Sequence, residues 1–281
     1  MKTKKMMGIF LSLGMLLAFF CAGISKDTIV ESQWAVTPPT IDGAIVDWSG
    51  DTLVLDKSHQ IEYGIRNDAK DLYVLLMFKD PKFLSSVERT GMTVYLNAQG
   101  KKSKDFGIRF LRKNITADQL IATLEKAGET LTPERKAEIK QRPMYQMFDA
   151  AIMNKRGDEV KIEAQPGTIE PASFRPGRDG KTMIYEFRIP LAAKTVTPFG
   201  IGAEPGKNIK IGFEWGGMTK EERNARLAGL GEMRATAGSV GDVTDKEGTS
   251  VQEPGGPGFD SVMRGPKKYD FWADVKLALN Q

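Results

Sequence analysis

Thiols and imidazoles are almost absent from this sequence, which has one cysteine, Cys21, and one histidine, His59, in 281 residues. Zinc sites draw most of their ligands from these two residue types, so a zinc site is excluded. A Ser–His–Asp triad would have to use His59, and neither a Gly-x-Ser-x-Gly motif nor a P-loop or dinucleotide-binding motif is present. We therefore favour a non-enzyme, although paired-carboxylate hydrolysis stays open because Asp and Glu are plentiful.

The first 25 residues have the pattern of a secretory signal peptide. Three lysines precede an apolar run from Met6 to Ala22, and the small residues Gly23 and Ser25 follow it. The run is slightly shorter than the roughly 20 residues of a membrane-spanning helix, and no stop-transfer pattern follows. We predict cleavage near Ser25 and a secreted or periplasmic protein, with an uncleaved anchor as the alternative.

Cys21 raises the further alternative of lipoprotein processing. The segment around it resembles a lipobox only in part, because bulky Phe20 stands where a small residue should precede the cysteine. We favour simple cleavage, which leaves a mature chain without thiols and therefore without disulfides or thiolate catalysis.

Removing the signal peptide also changes the charge balance. Loss of its three lysines lowers the basic residues from 40 to 37 against 36 acidic residues, so the net charge falls from +4 to +1. A nearly neutral chain has no overall basic field to attract nucleic acid, so we expect no nucleic-acid partner.

Most of the mature chain alternates or runs apolar in short segments bounded by turn residues, which is typical of β-strands. We expect the hairpin strand at 72–78 to be buried on both faces because it is almost continuously apolar. Met183, Tyr185 and Phe187 should share one face of their strand, opposite Glu186. The predicted strands are Thr52–Leu55, Ile61–Arg66, Leu72–Phe78, Gly91–Leu96, Phe106–Leu111, Met147–Met153, Val160–Ala164, Lys181–Pro190, Asn208–Trp215 and Tyr269–Leu279.

Two segments interrupt this pattern. Residues 116–142 predict a helical hairpin, with Thr116 as N-cap of the first helix and Pro133 opening the second. Residues 216–268 are rich in Gly, Pro and charge and predict a long loop, with a short helix around 219–229. We predict a mostly β protein, a jelly-roll-like antiparallel β-sandwich forming one domain over 26–281.

Four blocks of the sequence, taken in order, resemble family 9 carbohydrate-binding modules and their DOMON-like relatives. The resemblance spans roughly residues 36–280 and implies a jelly-roll-like antiparallel sandwich. That scaffold hosts sugar-binding modules, often with calcium, and also haem-binding electron-transfer domains, so fold alone does not choose between them. The blocks are Thr40–Gly43 closing on Asp47–Trp48, Ile65–Asp68 followed by Leu72–Val74 and Asp80, Tyr185–Leu191, and Phe271–Val275.

Four tryptophans are the candidates for stacking on a sugar ring. Sugar rings pack their C–H faces on aromatic planes while polar neighbours bond the hydroxyl groups. Trp215 ends a strand before a Gly-Gly pair and is the first choice for a binding platform, with Trp34 and Trp272 as further ligand-binding candidates. Trp48 and Trp272 lie inside the fold motifs, which favours a core role for them.

Four aspartates, Asp42, Asp47, Asp68 and Asp80, are candidate ligands for calcium, which prefers several oxygen atoms from loops. The alternative is a turn in which the Asp side chain bonds nearby backbone; Asp42 and Asp68 fit it well, and we favour turn roles over a metal site.

Our leading hypothesis is an exported, non-catalytic protein that binds a polysaccharide or oligosaccharide. The first alternative is a haem-binding electron-transfer domain. Covalent haem attachment is excluded because no Cys-x-x-Cys-His motif exists, His59 is expected to face solvent, and Met77 and Met183 fit core positions. The second alternative is a cell-envelope structural protein that docks a partner through the helical hairpin or the long loop, which would require an exposed apolar patch.

Overall fold

The computed structural model describes residues 29–126, 128–160, 171–218, 224–225, 228 and 266–280. The predicted signal peptide with Cys21, nearly all of the predicted strand at 160–164 and most of the predicted loop at 216–268 lie outside this part of the chain. No helix in the described ranges is long and apolar enough to cross a membrane.

Twelve strands and three α-helices are described. The strands are β1 (Ile29–Glu31), β2 (Gln33–Trp34), β3 (Val54–Asp56), β4 (Ile61–Asn67), β5 (Asp71–Phe78), β6 (Met92–Asn97), β7 (Gly107–Thr116), β8 (Met144–Met153), β9 (Ser173–Asp179), β10 (Thr182–Pro190), β11 (Asn208–Gly216) and β12 (Lys268–Lys276). The helices are α1 (Pro81–Thr90), α2 (Ala117–Lys126) and α3 (Pro133–Lys140), with a 3-10 turn at Val46–Trp48.

The strands form two sheets, which confirms the predicted β-sandwich. Sheet A has the order β1-β12-β11-β6-β7-β8, and sheet B has the order β2-β4-β5-β10-β9 with β3 paired to β4. Both sheets are antiparallel except at the N-terminus, where β1 pairs in parallel with β12 and β2 with β4. The sheets are therefore mixed rather than purely antiparallel, because one N-terminal segment contributes an edge strand to each.

A buried polar cluster stabilises the point where the chain crosses between the sheets. Ser32 lies between β1 and β2, and its hydroxyl donates to Oδ1 of Asn67, which is fully buried. The same Oδ1 accepts the backbone N–H of Ala278 at 2.8 Å, and Asn67 Nδ2 donates to the Ala278 carbonyl at 3.1 Å. Asn67 thus joins β4, the N-terminal crossover and the segment after β12, and satisfies backbone groups that no ladder reaches.

The core lies between the sheets and follows the period-two alternation of the strands. In β5, Leu72, Val74 and Leu76 face sheet A and are fully buried. The intervening Tyr73 and Leu75 are also buried, under the segment 35–53 that covers the outer face of sheet B. The prediction that 72–78 is buried on both faces is confirmed.

The helices agree with prediction in part. Thr116 caps α2 through its hydroxyl, which accepts from Gln119 N at 3.2 Å, while Gln119 accepts the Thr116 N–H at 2.8 Å. Helices α2 and α3 pack on each other in a small separate cluster that includes Ile121 and Ile139. Helix α1 was not predicted, although Asp80 caps it and Pro81 occupies its first turn, the usual signature of a helix start.

Candidate functional site

Trp215, the first choice for a sugar platform, lies in the core with 1% of its surface exposed. It packs against Phe78, Phe83 and Tyr269 at centroid distances of 5.6, 5.7 and 5.7 Å. The alternation of β11 explains this position, because Ile211, Phe213 and Trp215 share the inward face. A buried indole offers no face to a sugar, so the expectation of a Trp215 platform is corrected.

His59 was expected to face solvent, and the structure corrects this too. Only 16% of its side chain is exposed. Its ring lies 5.3 Å from that of Trp215 and 5.8 Å from that of Phe83, and its Nδ1 lies 2.7 Å from Asp56 Oδ2. The turn between β3 and β4 lays this side chain over the aromatic end of the core, where it packs as a structural residue.

Each of the four candidate calcium ligands takes part in turn or cap contacts. Asp42 accepts the N–H of Ala44 at 2.8 Å, and Asp47 accepts the N–H of Thr40 at 2.7 Å. Asp80 accepts the N–H of Lys82 at 3.0 Å as the N-cap of α1, and its second oxygen pairs with the ammonium of Lys82. The Asp42 and Asp80 contacts are the local turn chemistry that we favoured, whereas the Asp47 contact joins residues seven positions apart.

Asp68 has the fullest set of contacts among the four. Its Oδ1 accepts the N–H groups of Lys70 and Asp71, both at 2.7 Å, and its Oδ2 accepts the Tyr73 hydroxyl at 2.8 Å. In the described ranges, no three His, Cys, Asp or Glu side chains are grouped so that they could hold a metal ion.

The opening sequence motif has a structural explanation in Glu186. This carboxylate is fully buried on the outer face of sheet B. Trp48 donates its indole N–H to Oε1 at 2.6 Å, while the backbone N–H groups of Asp42 and Gly43 donate to Oε2 at 3.1 and 2.6 Å. Trp48 is thereby a structural residue with 2% exposure, as expected.

Gly43 is required for this docking. It has a φ of +84°, and a Cβ placed on it would lie 2.7 Å from the backbone of Pro176 in β9. The Asp42-Gly43 turn therefore lies directly on sheet B and anchors the segment 35–53 over its outer face.

The third tryptophan, Trp34, lines a cavity of about 780 Å³. The cavity is an open groove on the outer face of sheet B, between the N-terminal segment and the turn that joins β4 to β5. We call it the Trp34 groove. Its polar lining consists of acidic, basic and neutral side chains, namely Asp68, Lys70, Asp71, Tyr73, Ser173, Arg188 and Asn280. Apolar surface comes from the prolines at 38 and 39 and from Val36, which is 89% exposed.

The polar groups of the Trp34 groove are held in place by local contacts. Asp68 organises the turn, and burial together with its hydrogen bond raises the pKa of the Tyr73 hydroxyl, which stays protonated at neutral pH. The guanidinium of Arg188 donates to the Pro171 carbonyl at 3.1 Å. A half-buried indole beside ordered donors and acceptors is an arrangement suited to a polyhydroxylated ring.

Trp272 lies on the outer face of sheet A and not in the core. Its ring is nearly parallel to that of Tyr95, at 15° with centroids 6.1 Å apart. Gly212 pairs with both residues in register, and a Cβ on Gly212 would lie 2.7 Å from the indole, so the ring rests flat on the sheet. We call this pair the Tyr95–Trp272 tile.

The Tyr95–Trp272 tile is less open than the groove. Tyr95 is only 7% exposed, and the ammonium groups of Lys102 and Lys104 lie 5.2 and 5.3 Å from the Trp272 and Tyr95 ring centroids. The structure therefore brings together Trp34 and Asp68, and places Trp215 and Trp272 elsewhere.

Comparison with solved structures finds family 9 carbohydrate-binding modules from Caldicellulosiruptor kristjanssonii, one in complex with glucose and one with cellotriose. The TM-scores are 0.34 and 0.33, each at 12% sequence identity. The alignments cover 67% of this chain and 78% and 76% of those chains. No protein-family model matches this sequence, and no curated protein matches it. Function has to be argued from the site itself.

Sequence reasoning missed most of the Trp34 groove. Its Arg188 and Ser173 come from β10 and β9, more than 130 residues from Trp34 along the chain, and no local pattern marks them. For Trp215 and Trp272, however, a signal was present. Trp215 alternates with charged and glycine positions, and Trp272 alternates with apolar ones, so strand period alone assigns the first inward and the second outward.

Proposed function

We propose that this chain is an exported, non-catalytic carbohydrate-binding protein and that its saccharide occupies the Trp34 groove. One observation carries the proposal: a half-buried indole and ordered polar side chains of both charges line one open cavity of about 780 Å³. Cavities of about 300–1,000 Å³ hold small ligands, so this volume is ample for one or two sugar rings. The signal-peptide pattern of residues 1–25 supports export to the periplasm or medium, where polysaccharides occur.

The groove supplies both parts of sugar recognition. The C–H face of a pyranose packs on the indole of Trp34, and this contact buries apolar surface of both the sugar and the indole. Arg188 and Asn280 also line the groove, and their side chains offer hydrogen-bonding groups to the hydroxyl groups of the sugar. Bidentate contacts from a guanidinium to neighbouring hydroxyls favour vicinal diols, which fixes the orientation of the ring.

Binding fits the groove better than hydrolysis. Glycoside hydrolysis uses two carboxyl groups, one of them acting as a proton donor. Asp68 already accepts three hydrogen bonds from its own turn and from Tyr73. Asp71 is the other carboxylate of the described lining and comes from the same turn as Asp68, whereas the two carboxyl groups of a glycoside hydrolase flank the scissile bond.

The decisive experiment is a glycan array with the purified protein, followed by calorimetric titration of the best ligand against Trp34→Ala and Trp272→Ala. Loss of an indole that packs on a sugar costs about 2 kcal/mol, or roughly 30-fold in Kd. We expect that loss for Trp34→Ala and an unchanged Kd for Trp272→Ala, which removes the same side chain from the Tyr95–Trp272 tile.

The other outcomes are equally informative. Loss with Trp272→Ala alone moves the site to the tile, and no retention on any saccharide overturns the proposed function. Because the four candidate calcium ligands are engaged in turns, chelation of calcium should leave the Kd unchanged. A Soret band in the purified protein would instead support the haem-binding alternative.

A further inference from the structure

A second cavity, separate from the Trp34 groove, opens between the two sheets. It has a volume of about 400 Å³ and is lined by residues of β6, β7, β8, β9, β10 and α1. We call it the inter-sheet cleft. Its walls include the aromatic side chains of Phe110, Phe148 and Phe174 and the sulfur-containing side chains of Met92 and Met183.

Strand alternation places charged residues on the inward face at this end of the sandwich. Arg112 follows Phe110 by two positions in β7, and Arg178 follows Phe174 by four positions in β9. Residues an even number of positions apart share a face of a strand, so both arginines project from the core-facing side. Arg178 Nε contacts the sulfur of the buried Met183 at 3.4 Å, which agrees with that direction.

Polar residues at core-facing positions of a sandwich contradict the binary pattern of a folded core. Arg112, Arg178 and Gln146 are exposed, although each has one neighbour on the same strand face, Phe110, Pro176 or Phe148 respectively, that is buried or half-buried. Departures of this kind concentrate at functional sites. Their convergence from three strands on one cavity indicates a built mouth rather than an accident of one loop.

A buried hydroxyl without a partner lies deeper in the same cleft. Tyr185 is 3% exposed and lines the cavity, and its hydroxyl has no hydrogen-bond partner in the described part of the chain. Leaving such a group unsatisfied costs about 1–3 kcal/mol, so native proteins rarely do so without a reason. Burial and the nearby Glu88 carboxylate raise the pKa of this hydroxyl, while the Arg112 guanidinium opposes them. The group therefore stays protonated at neutral pH and is available as a donor.

The charges around the mouth favour a single negative charge. Arg112 and Arg178 outnumber Glu88 on the cavity lining. The guanidinium of Arg175 lies outside this lining, 5.0 Å from the centroid of the Phe148 ring. A guanidinium pairs with a carboxylate through two parallel hydrogen bonds and with a neutral amide much more weakly.

We propose that the inter-sheet cleft binds a small aromatic monocarboxylate that carries a hydroxyl group. The Phe and Met walls hold the ring, the Tyr185 hydroxyl bonds the ligand's own hydroxyl, and Arg112 with Arg178 holds the carboxylate at the mouth. The cleft volume lies in the range of about 300–1,000 Å³ that is typical of small-molecule pockets.

The test is calorimetric titration of the purified full chain with para-hydroxybenzoate and with the matching para-hydroxybenzamide. We expect saturable binding of the acid, with amide chemical-shift changes along β10. The neutral amide should bind about tenfold more weakly, the loss of one charge-assisted contact.

Two variants separate the two ends of the site. Tyr185→Phe removes one oxygen atom and should weaken the acid about fivefold to tenfold while leaving or raising stability, because the lost hydroxyl has no partner to abandon. Arg112→Gln combined with Arg178→Gln changes exposed residues only, and should abolish the preference for the acid over the amide. Trp34→Ala is the control and should leave both affinities unchanged.

The proposal is overturned if the acid does not bind at millimolar concentration. It is equally overturned if the double arginine variant keeps the preference for the acid, or if Trp34→Ala and Tyr185→Phe weaken binding alike. These tests of the cleft do not depend on saccharide binding in the Trp34 groove, because no residue that lines the cleft also lines the groove.

Discussion

Trp48 donates its indole N–H to the buried carboxylate of Glu186 across 2.6 Å, linking the 3-10 turn near the N-terminus to the middle of β10. Two backbone N–H groups from the Asp42-Gly43 turn occupy the other carboxylate oxygen. Two sequence blocks separated by more than 130 residues are thereby parts of one hydrogen-bonded unit. This unit fastens the segment that covers the outer face of sheet B and forms one wall of the Trp34 groove.

Glu186→Gln should lower the free energy of unfolding by about 1–3 kcal/mol. Both oxygens of Glu186 accept from N–H groups, but glutamine has only one acceptor oxygen. Its NH2 group would therefore face another donor, either the Trp48 N–H or the two backbone N–H groups. Urea denaturation measures the loss. Glu62→Gln, on β4 of the same sheet, is the matched control and should change stability by less than about 0.5 kcal/mol, because its ion pair with Lys79 lies at the surface.

The effect of Glu186→Gln should depend on pH. Burial raises the pKa of the Glu186 carboxyl above its usual value, against the opposing hydrogen bonds. A carboxyl whose pKa is raised on folding stabilises the fold fully below its unfolded pKa, and this contribution is lost as pH rises through the folded pKa. The stability difference between wild type and Glu186→Gln should therefore narrow as the pH rises above the usual carboxyl value of 4.5. A difference that widens over this range would contradict the raised pKa.

Asn67→Ala should destabilise the fold by about 2–4 kcal/mol, since it leaves the Ser32 hydroxyl and the Ala278 backbone groups without their buried partner. Ser32→Ala removes one contact and should cost about 1 kcal/mol. If both belong to one cluster, the double variant costs less than the sum of the two. Guanidinium denaturation gives the three values, and Asn208→Ala, at an exposed position of β11, is the control.

Gly212→Ala should lift the Trp272 indole from sheet A, because the added Cβ would lie 2.7 Å from three ring atoms. Overpacking of this kind costs about 1–3 kcal/mol. The tryptophan emission should shift to the red as the indole gains water. In a Trp272→Ala background the same substitution should cost little, and an equal cost in both backgrounds would show that the indole is not what the Cβ meets.

Trp215→Ala should cost about 3–5 kcal/mol as a large core truncation. Trp215→Phe should cost clearly less, because it keeps ring contacts and removes an indole N–H that is buried without a partner in the described chain. Thermal unfolding of both variants tests this order. The saccharide affinity of Trp215→Phe should equal that of wild type. A large loss of affinity would show that Trp215 is part of the binding site.

Much of the sandwich could be predicted because strand period and turn chemistry are local. The clean alternation of Met183, Tyr185 and Phe187 against Glu186 is found unchanged in β10. The capping pair at Thr116 and Gln119 likewise begins α2 as expected. Strands β1 and β2 were missed because they are only three and two residues long and pair in parallel with distant strands.

The sequence by itself determined the inward-facing residues of β5 and β10, the capped start of α2 and the scarcity of thiol and imidazole ligands. Tertiary structure alone decided that Glu186 is buried beside Trp48. It also placed Trp34 and Arg188 on the lining of one cavity, and Tyr185, Arg112 and Arg178 on the lining of another. The reason is physical. Alternation and turn preference depend on neighbours a few residues away, whereas a site depends on which strands pair and how two sheets pack, and those contacts join residues more than a hundred positions apart.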